Sequence, residues 1–313
     1  MSVPRLRDIQ HIWASEEAAL TYLVRNGVLI RPERCTDCDG DMALEAPDKP
    51  KKFRCKNRYC RKKKSVTNET FFGGTKLASG QILMLSYFWL INAKHETLQL
   101  LSGCSSATIT RWYRYLNDLV AIALSELPGN EGQIGGPGII VEIDESKFGK
   151  RRYNRGHRVA GVWVVGGVDR SEDKNMFAVS VRNRSARTLL EVIRRHVRPG
   201  SIIYTDCWKG YKTEELADLG CVHLTVNHSY QWVDPQTGAH TNTIEGMWSA
   251  LKAHTNKRHR TADWVDPCLM QFIWRRRYKD TMWNRLLYAM ATIVYPDAAP
   301  EPDQDIGEEG DEV

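Results

Sequence analysis

Apolar positions recur along the chain with two different periods, and the switches between them mark out the elements. Over residues 15–27, Ser15 reads as an N-cap, Ala18, Ala19, Tyr22 and Leu23 fall at helical spacing, and Gly27 supplies a stop, predicting a short amphipathic helix. From Ser79 the pattern is helical again, with an apolar run over 81–91 and a second stretch over 97–112. That second stretch holds a short apolar helix, a turn at Gly103, and a helix capped by Ser105 or Ser106 with Ile109 and Trp112 inward.

The period changes after a Gly/Pro-rich stretch that ends at Gly138. Ile139, Ile140, Val141 and Ile143 form a β-branched run that predicts a buried strand, followed by a basic hairpin tip at 147–158. Strands over 159–168 and 176–181, joined by a polar turn at 169–175, imply an antiparallel meander. A capped helix at 185–196, a strand at 202–204, a helix at 213–219, a strand at 222–226 and a helix at 243–255 complete the series. The order β-β-β-α-β-α-β-α is that of the ribonuclease-H-like fold, an α/β architecture with a mixed sheet flanked by helices. Its first and fourth strands are neighbours.

Chemistry collects where those strands end. Glu142, Asp144 and Glu145 close the first strand, Asp206 closes the fourth, and Glu245 opens the last helix. An edge strand with a polar face would explain the first cluster taken alone, but three carboxylates from separate elements can converge. Hard oxygen ligands of that kind suit Mg²⁺ or Mn²⁺ and phosphodiester chemistry. Glu142 shares a strand face with Asp144 and Glu145 takes the opposite one; both are read as supporting or solvent-facing groups. His223, His228 and His240 are expected to be structural or surface groups, with the positioning of water or DNA as their functional alternative. Trp208, Trp232 and Trp248 are expected in the core, the alternative being base stacking, with Trp208 near the site.

Cys35, Cys38, Cys55 and Cys60 follow a C-x2-C-x16-C-x4-C spacing, which brings two thiolate pairs on tight turns to one tetrahedral Zn²⁺ and predicts a zinc ribbon. Clustering of four of the eight cysteines argues for metal in a reducing compartment over disulfides. The second pair lies in residues 51–64, where nine of fourteen are Lys or Arg, including Lys62, Lys63 and Lys64, a density that favours phosphate contact. If the 97–112 stretch is a helix-turn-helix and not a plain helical hairpin, Thr108, Thr110 and Arg111 are available to DNA.

The net charge of +6 understates this basic character, because residues 297–313 hold eight acids and no Lys or Arg; residues 1–296 alone carry +14. That acidic tail is expected to be disordered, screening the basic surface or contacting a partner. With no run of about 18 apolar residues and no signal-peptide pattern, the chain reads as soluble, with no membrane association. The expected domains are an N-terminal helical segment at 1–30, the zinc ribbon at 31–75, the helix-turn-helix region at 76–127, a linker at 128–138, the catalytic domain at 139–296 and the tail at 297–313.

Three motifs, Asp144-Glu-Ser-Lys-Phe-Gly-Lys-Arg-Arg-Tyr-Asn-Arg-Gly156, Tyr204-Thr-Asp-Cys-Trp-Lys-Gly-Tyr211 and His240-Thr-Asn-Thr-Ile-Glu-Gly-Met-Trp248, resemble the Merlin superfamily of DDE transposases and its bacterial insertion-sequence relatives. With the zinc ribbon, the resemblance covers roughly residues 15–290. It implies a cut-and-paste transposase whose triad is Asp144, Asp206 and Glu245, separated by 61 and 38 residues, with the family's basic residue at Lys252. Some bacterial relatives use an asparagine as third ligand, and Asn242 lies one turn from Glu245. The implied cofactors are structural Zn²⁺ and catalytic Mg²⁺ or Mn²⁺. The implied partners are double-stranded DNA, as terminal inverted repeats and target, and further copies of the chain as a dimer or larger. Lys150, Arg151, Arg152, Lys257 and Arg258 are further expected DNA contacts. Localisation is nuclear for a eukaryotic host and cytoplasmic otherwise. A domesticated DNA-binding protein and a structure-specific nuclease without strand transfer are the alternatives.

Overall fold

A computed structural model describes residues 2–29, 34–46, 50–127, 132–149, 161–226, 240–256 and 259–293. The chain divides into two compact units, Met1–Leu116 with Asp280–Val313, and Asn117–Lys279.

The first unit begins with α1 (Leu6–Ile9), a 3-10 turn (Gln10–Trp13) and α2 (Glu16–Arg25). Ser15 accepts the Ala18 N–H at 3.1 Å and Gly27 takes φ +72, so start and stop of α2 fall as expected. Three short strands follow, β1 (Met42–Leu44), β2 (Lys52–Cys55) and β3 (Lys63–Ser65), paired antiparallel in that order. α3 (Ser79–Leu90) is apolar on nearly every face and ten of its residues are buried, as such a helix must be in water. α4 (His95–Ser102) ends on Gly103 in the left-handed region, and α5 (Ser106–Ser125) starts where Ser105 Oγ accepts the Thr108 N–H at 3.2 Å. Of the two serines considered, Ser105 is therefore the cap.

The second unit is built on a five-stranded mixed sheet. Its strands are β4 (Ile140–Phe148), β5 (Val162–Asp169), β6 (Met176–Val181), β7 (Ile202–Asp206) and β8 (Val222–Val226), in spatial order β6-β5-β4-β7-β8. β4, β5 and β6 are antiparallel neighbours, whereas β4 to β7 and β7 to β8 are parallel. The helices are α6 (Ala186–His196), α7 (Thr213–Asp218), α8 (Asn242–His254) and α9 (Ala262–Arg277). The expected order of elements is observed. α10 (Met282–Thr292) then belongs to the first unit, where its Trp283 donates to the Tyr22 hydroxyl at 2.8 Å.

Both sheet faces are covered. Val141, Ile143, Val165 and Ile203 pack with Leu189, Val192, Ile193 and Leu216 of α6 and α7; Phe148, Val164, Val168 and Ala178 pack with Ile244, Met247, Leu251, Val265 and Leu269 of α8 and α9. Alternation along β4 thus sends its odd positions to α6 and α7 and its even positions to α8.

One boundary differs from expectation. β4 does not stop at its acids but runs on to Phe148, with Phe148 paired to Val162. The cause is the hairpin partner: β5 continues to bond β4 beyond the point where its parallel pairing with β7 ends, at Glu142 and Tyr204. Asp144 therefore sits within a strand held from one side only.

Candidate functional site

On the α8 face of the sheet, Glu142 pairs across to Tyr204, and two residues further along each strand stand Asp144 and Asp206. Parallel neighbours with a common register bring these two carboxyls to the same edge of the sheet. α8 lies against β4 in matched steps. The Ile244 N–H donates to Glu142 Oε2 at 3.0 Å, the Trp248 indole N–H donates to Asp144 Oδ2 at 3.0 Å, and the Lys252 ammonium lies 5.7 Å from the Phe148 ring centre. Glu245 is exposed, in the turn between the first two of these contacts.

Space for the indole comes from a missing side chain. Gly166 is the β5 residue paired to Asp144, and a Cβ there would lie 2.6 Å from the Trp248 ring. A residue with any side chain at 166 would force the indole to shift.

Asp144, Asp206 and Glu245 are close enough to feel one another. Burial raises the Asp144 pKa above the usual carboxylate range, and the charges of Asp206 and Glu245 raise it further, against the lowering effect of hydrogen bonds from the Glu145 backbone and Trp248. Their oxygens do not fall within the 4.8 Å mutual spacing that the four cysteine sulfurs keep, the one such group among the described residues. Three carboxylates from two strands and a helix, one of them raised by burial and by the charges of the others, are hard oxygen donors of the kind that can hold a divalent cation. Lys252 is pushed the other way: burial lowers its pKa first and Arg260 second, while Asp144 pulls it up.

Glu142 and Glu145 are supporting groups, not solvent-facing ones. Glu142 is fully buried, with the Arg170 guanidinium at 2.8 Å on Oε1 and the first turn of α8 on Oε2. Arg170 also reaches the His240 carbonyl at 2.9 Å and its ring nitrogen Nδ1 at 2.8 Å, so the residue leading into α8 is tied to the same clasp. Sequence reading named Glu142 and His240 but not Arg170, whose only signal was its place just past a strand end. Glu145, on the opposite face, accepts from the Tyr211 hydroxyl and lies 3.4 Å from Arg184; its side chain is 3% exposed.

The remaining histidines and tryptophans sort cleanly. His223 has both ring nitrogens on hydroxyls, Thr205 and Thr213, each at 2.9 Å. Trp248 is buried as expected, but Trp208 is 41% exposed, a correction to its expected place in the core. Its backbone N–H donates to Asp206 Oδ1 at 2.9 Å, and Arg184 stacks 4.4 Å from its ring and 3.9 Å from that of Trp163. A residue whose backbone is tied to a strand terminus follows that terminus to the surface.

In the first unit, Cys35 lies 3.6 Å from Cys60 and Cys38 lies 3.5 Å from Cys55, sulfur to sulfur, and none of the four is in a disulfide. Four Zn–S bonds of about 2.3 Å at tetrahedral angles imply sulfurs about 3.8 Å apart, so the quartet fits Zn²⁺ with little adjustment. Each turn ends on a residue with positive φ, Asp39 and Arg61, and Gly40 lets the backbone close in where a Cβ would stand 3.3 Å from the Cys38 sulfur. Without a cation the four thiols divide: backbone hydrogen bonding at Asp37 lowers the Cys35 pKa to about 7, burial pushes Cys55 up to about 12, and Cys60 is raised as well, so the fit to zinc rests on the sulfur spacing.

Among the expected DNA contacts, Lys62, Lys63 and Lys64 hold Asp37, Glu45 and Glu69 at 2.5, 2.5 and 2.9 Å. Thr110 and Arg111 are exposed while Thr108 is half-buried. Lys150, Arg151, Arg152, Trp232, His228, Lys257, Arg258 and the acidic tail lie outside the described residues.

Residues 133–276 match the family model of the ISXO2-like transposase domain. That matched segment contains Asp144, Asp206, Glu245, the Glu142 clasp and Lys252. Over 82 residues the chain is 32% identical to an uncharacterised transposase-like protein of Haemophilus influenzae, an overlap of 26% of this chain and 63% of that relative's length. Two solved structures also overlap it, the Mos1 transposase paired-end complex with left transposon end (10% identity, TM-score 0.23) and a pre-cleavage Mos1 transpososome (7% identity, TM-score 0.20). Each overlap covers 68% of this chain and 80% of the other, too loosely superposed to carry any argument. No helix among the described residues is long and apolar enough to cross a membrane.

Proposed function

We propose that the chain is a DDE-type DNA transposase with a ribonuclease-H-like catalytic domain, a zinc ribbon and a helix-turn-helix. The observation that carries this reading is the matched step of α8 on β4: one clasp, Glu142 on the Ile244 N–H, ties the helix bearing Glu245 to the strand bearing Asp144, inside the segment similar to a transposase domain.

In this reading Asp144, Asp206 and Glu245 would hold two Mg²⁺ or Mn²⁺, which when bound stabilise the attacking and leaving oxygens of an in-line displacement. Trp248 holds Asp144 Oδ2 and so fixes the direction of the carboxyl. Lys252, two turns beyond Glu245 and within reach of the Asp144 charge, suits a DNA phosphate beside the cleaved bond. Water attacks phosphorus at an element end and breaks the P–O3′ bond, giving a 3′-hydroxyl and a 5′-phosphate. The freed hydroxyl then attacks a target phosphodiester, forming one P–O bond as another breaks. Terminal inverted repeats as the bound DNA, and two or more copies of the chain acting on two ends, complete the proposal.

The test is cleavage and joining of a labelled terminal-repeat duplex with Mg²⁺ or Mn²⁺. Joined product that disappears in Asp144→Ala, Asp206→Ala and Glu245→Ala, with DNA affinity retained, is the expected result. Cleavage without joining would favour a structure-specific nuclease, and binding without cleavage a domesticated DNA-binding protein.

A further inference from the structure

The basic stretch over residues 51–64 does not present its charge evenly. Lys62, Lys63 and Lys64 each sit on a carboxylate of the ribbon itself, Asp37, Glu45 and Glu69. A phosphate approaching any of these lysines meets an acid as well, and the pair brings no net charge to it.

Toward β1 and the second cysteine turn the balance of charge is different, although Arg54 is paired across the sheet to Lys63 and shares Glu45 with it. A concavity of about 420 Å³ is lined by Arg54, Lys56, Arg58 and Arg61, with Ala43, Leu44, Glu45 and Cys55 completing it. All four cations are exposed. The single acid, Glu45, is held by Lys63 at 2.5 Å and lies 3.8 Å from Arg54. Among the described residues, Lys56, Arg58 and Arg61 have no carboxylate partner. Tyr59, next to Arg58 in the chain but not part of the lining, is 82% exposed, and the Arg58 guanidinium stacks 4.6 Å above its ring and donates to its hydroxyl. That contact gives Arg58 a held direction and leaves an aromatic surface beside it.

A concave site with three uncompensated cations, a fourth that shares its acid, and an exposed ring close by suits a polyanion whose charges recur along a backbone and whose sugars or bases can meet an aromatic face. Arg61 belongs to the second cysteine turn, and Cys55 forms part of the concavity wall, so the site exists only while the cysteine turns are folded. We infer that this concavity, and not the lysine run at 62–64, is where the ribbon grips the phosphate backbone of duplex DNA, with Arg54, Lys56, Arg58 and Arg61 on phosphates and Tyr59 on the adjoining sugar or groove edge. The choice of DNA rests on the transposase reading; the site's charge does not.

Full-length, zinc-loaded protein is titrated without Mg²⁺ against a fluorescent 30-base-pair duplex at several salt concentrations. Each phosphate neutralised contributes about 0.9 to the slope of log affinity against log salt. Replacing Arg54, Lys56, Arg58 and Arg61 together by Gln is expected to flatten the slope by about 3, because Arg54 already shares Glu45. Lys62→Gln, Lys63→Gln and Lys64→Gln together should flatten it by less than about 1. Tyr59→Ala should weaken binding several-fold at every salt concentration and leave the slope alone. Released zinc, counted with a chromophoric chelator, confirms that each variant stays folded; Arg58→Gln and Lys56→Gln singly, each worth about 0.9, serve if the fourfold change does not.

An unchanged slope in the cavity variants, or a triple-lysine effect as large as theirs, overturns the assignment. So does tighter binding of a duplex RNA of equal length. Cleavage, measured separately, keeps the two ideas apart: absent cleavage with the expected slopes sinks the transposase reading alone, and Asp144-dependent cleavage with flat slopes sinks this one alone.

Discussion

Glu142 and Asp144 are two residues apart on one face of one strand, yet their surroundings are opposite. Glu142 is fully buried and its oxygens are met by Arg170 and by the α8 backbone, while Asp144 is half-buried, receives one side-chain hydrogen bond from Trp248, and faces the charges of two other acids. One carboxylate is satisfied by the protein, and the other is left wanting a cation. The difference teaches how a site can be both firm and open to a ligand: the compensated acid fixes the geometry, and the uncompensated one beside it is the group that, in the proposed function, meets the metal.

The sharpest way to break the comparison is to remove each acid in turn. Asp144→Ala should lower cleavage by on the order of a thousand-fold or more while leaving the fold intact, read from single-turnover kinetics alongside a thermal melt. Glu142→Ala should do the reverse in kind, destabilising the second unit by about 3–5 kcal/mol because Arg170 loses its ion partner and an α8 N–H its acceptor, read from urea unfolding. Glu142→Gln keeps an acceptor for Ile244 and should recover roughly half of that loss. If Glu142→Ala unfolds no more easily than the natural chain, the clasp is not what holds α8.

Gly166→Ala tests the contact between the two environments. The added methyl meets Trp248 at 2.6 Å, so a cost of about 1–3 kcal/mol is expected together with loss of cleavage, because the indole that holds Asp144 must shift. Trp248→Phe, which keeps the volume nearly and drops the N–H, should lower cleavage less than Gly166→Ala does.

The smallest effect is one of sign. The native Asp144 pKa is raised, so above it the ionised carboxylate opposes folding, and that opposition fades as pH falls through it. Asp144→Asn should therefore melt slightly higher than the natural chain at pH 7, with the gap closing on acidification. Mg²⁺ should raise the melting temperature of the natural chain and not of Asp144→Asn.

Much of this was legible in the residues. β-branched runs, the Ser15 and Ser185 caps and the cysteine spacing each act over a few positions, and the structure has them where local chemistry put them. The end of β4 was less so: the polar Ser146 and Lys147 resemble a turn, and only pairing with β5, across a hairpin, makes them strand. Glu142 shows the limit most clearly. Its neighbours in the chain mark it as one acid among three, but its role comes from Arg170 and Ile244, 28 and 102 positions away. The lysine run had a similar fault, since density of charge says nothing about which acids fold back onto it.

The clasp on α8 also sets how the candidate site can be lost. Because Glu142 holds the first turn of the helix and Arg170 holds Glu142, a change at either residue would shift Glu245 and Lys252 along the strand while Asp144, Asp206 and Glu245 all stayed in the sequence. A copy of this chain could therefore fall silent with all three of those carboxylates intact.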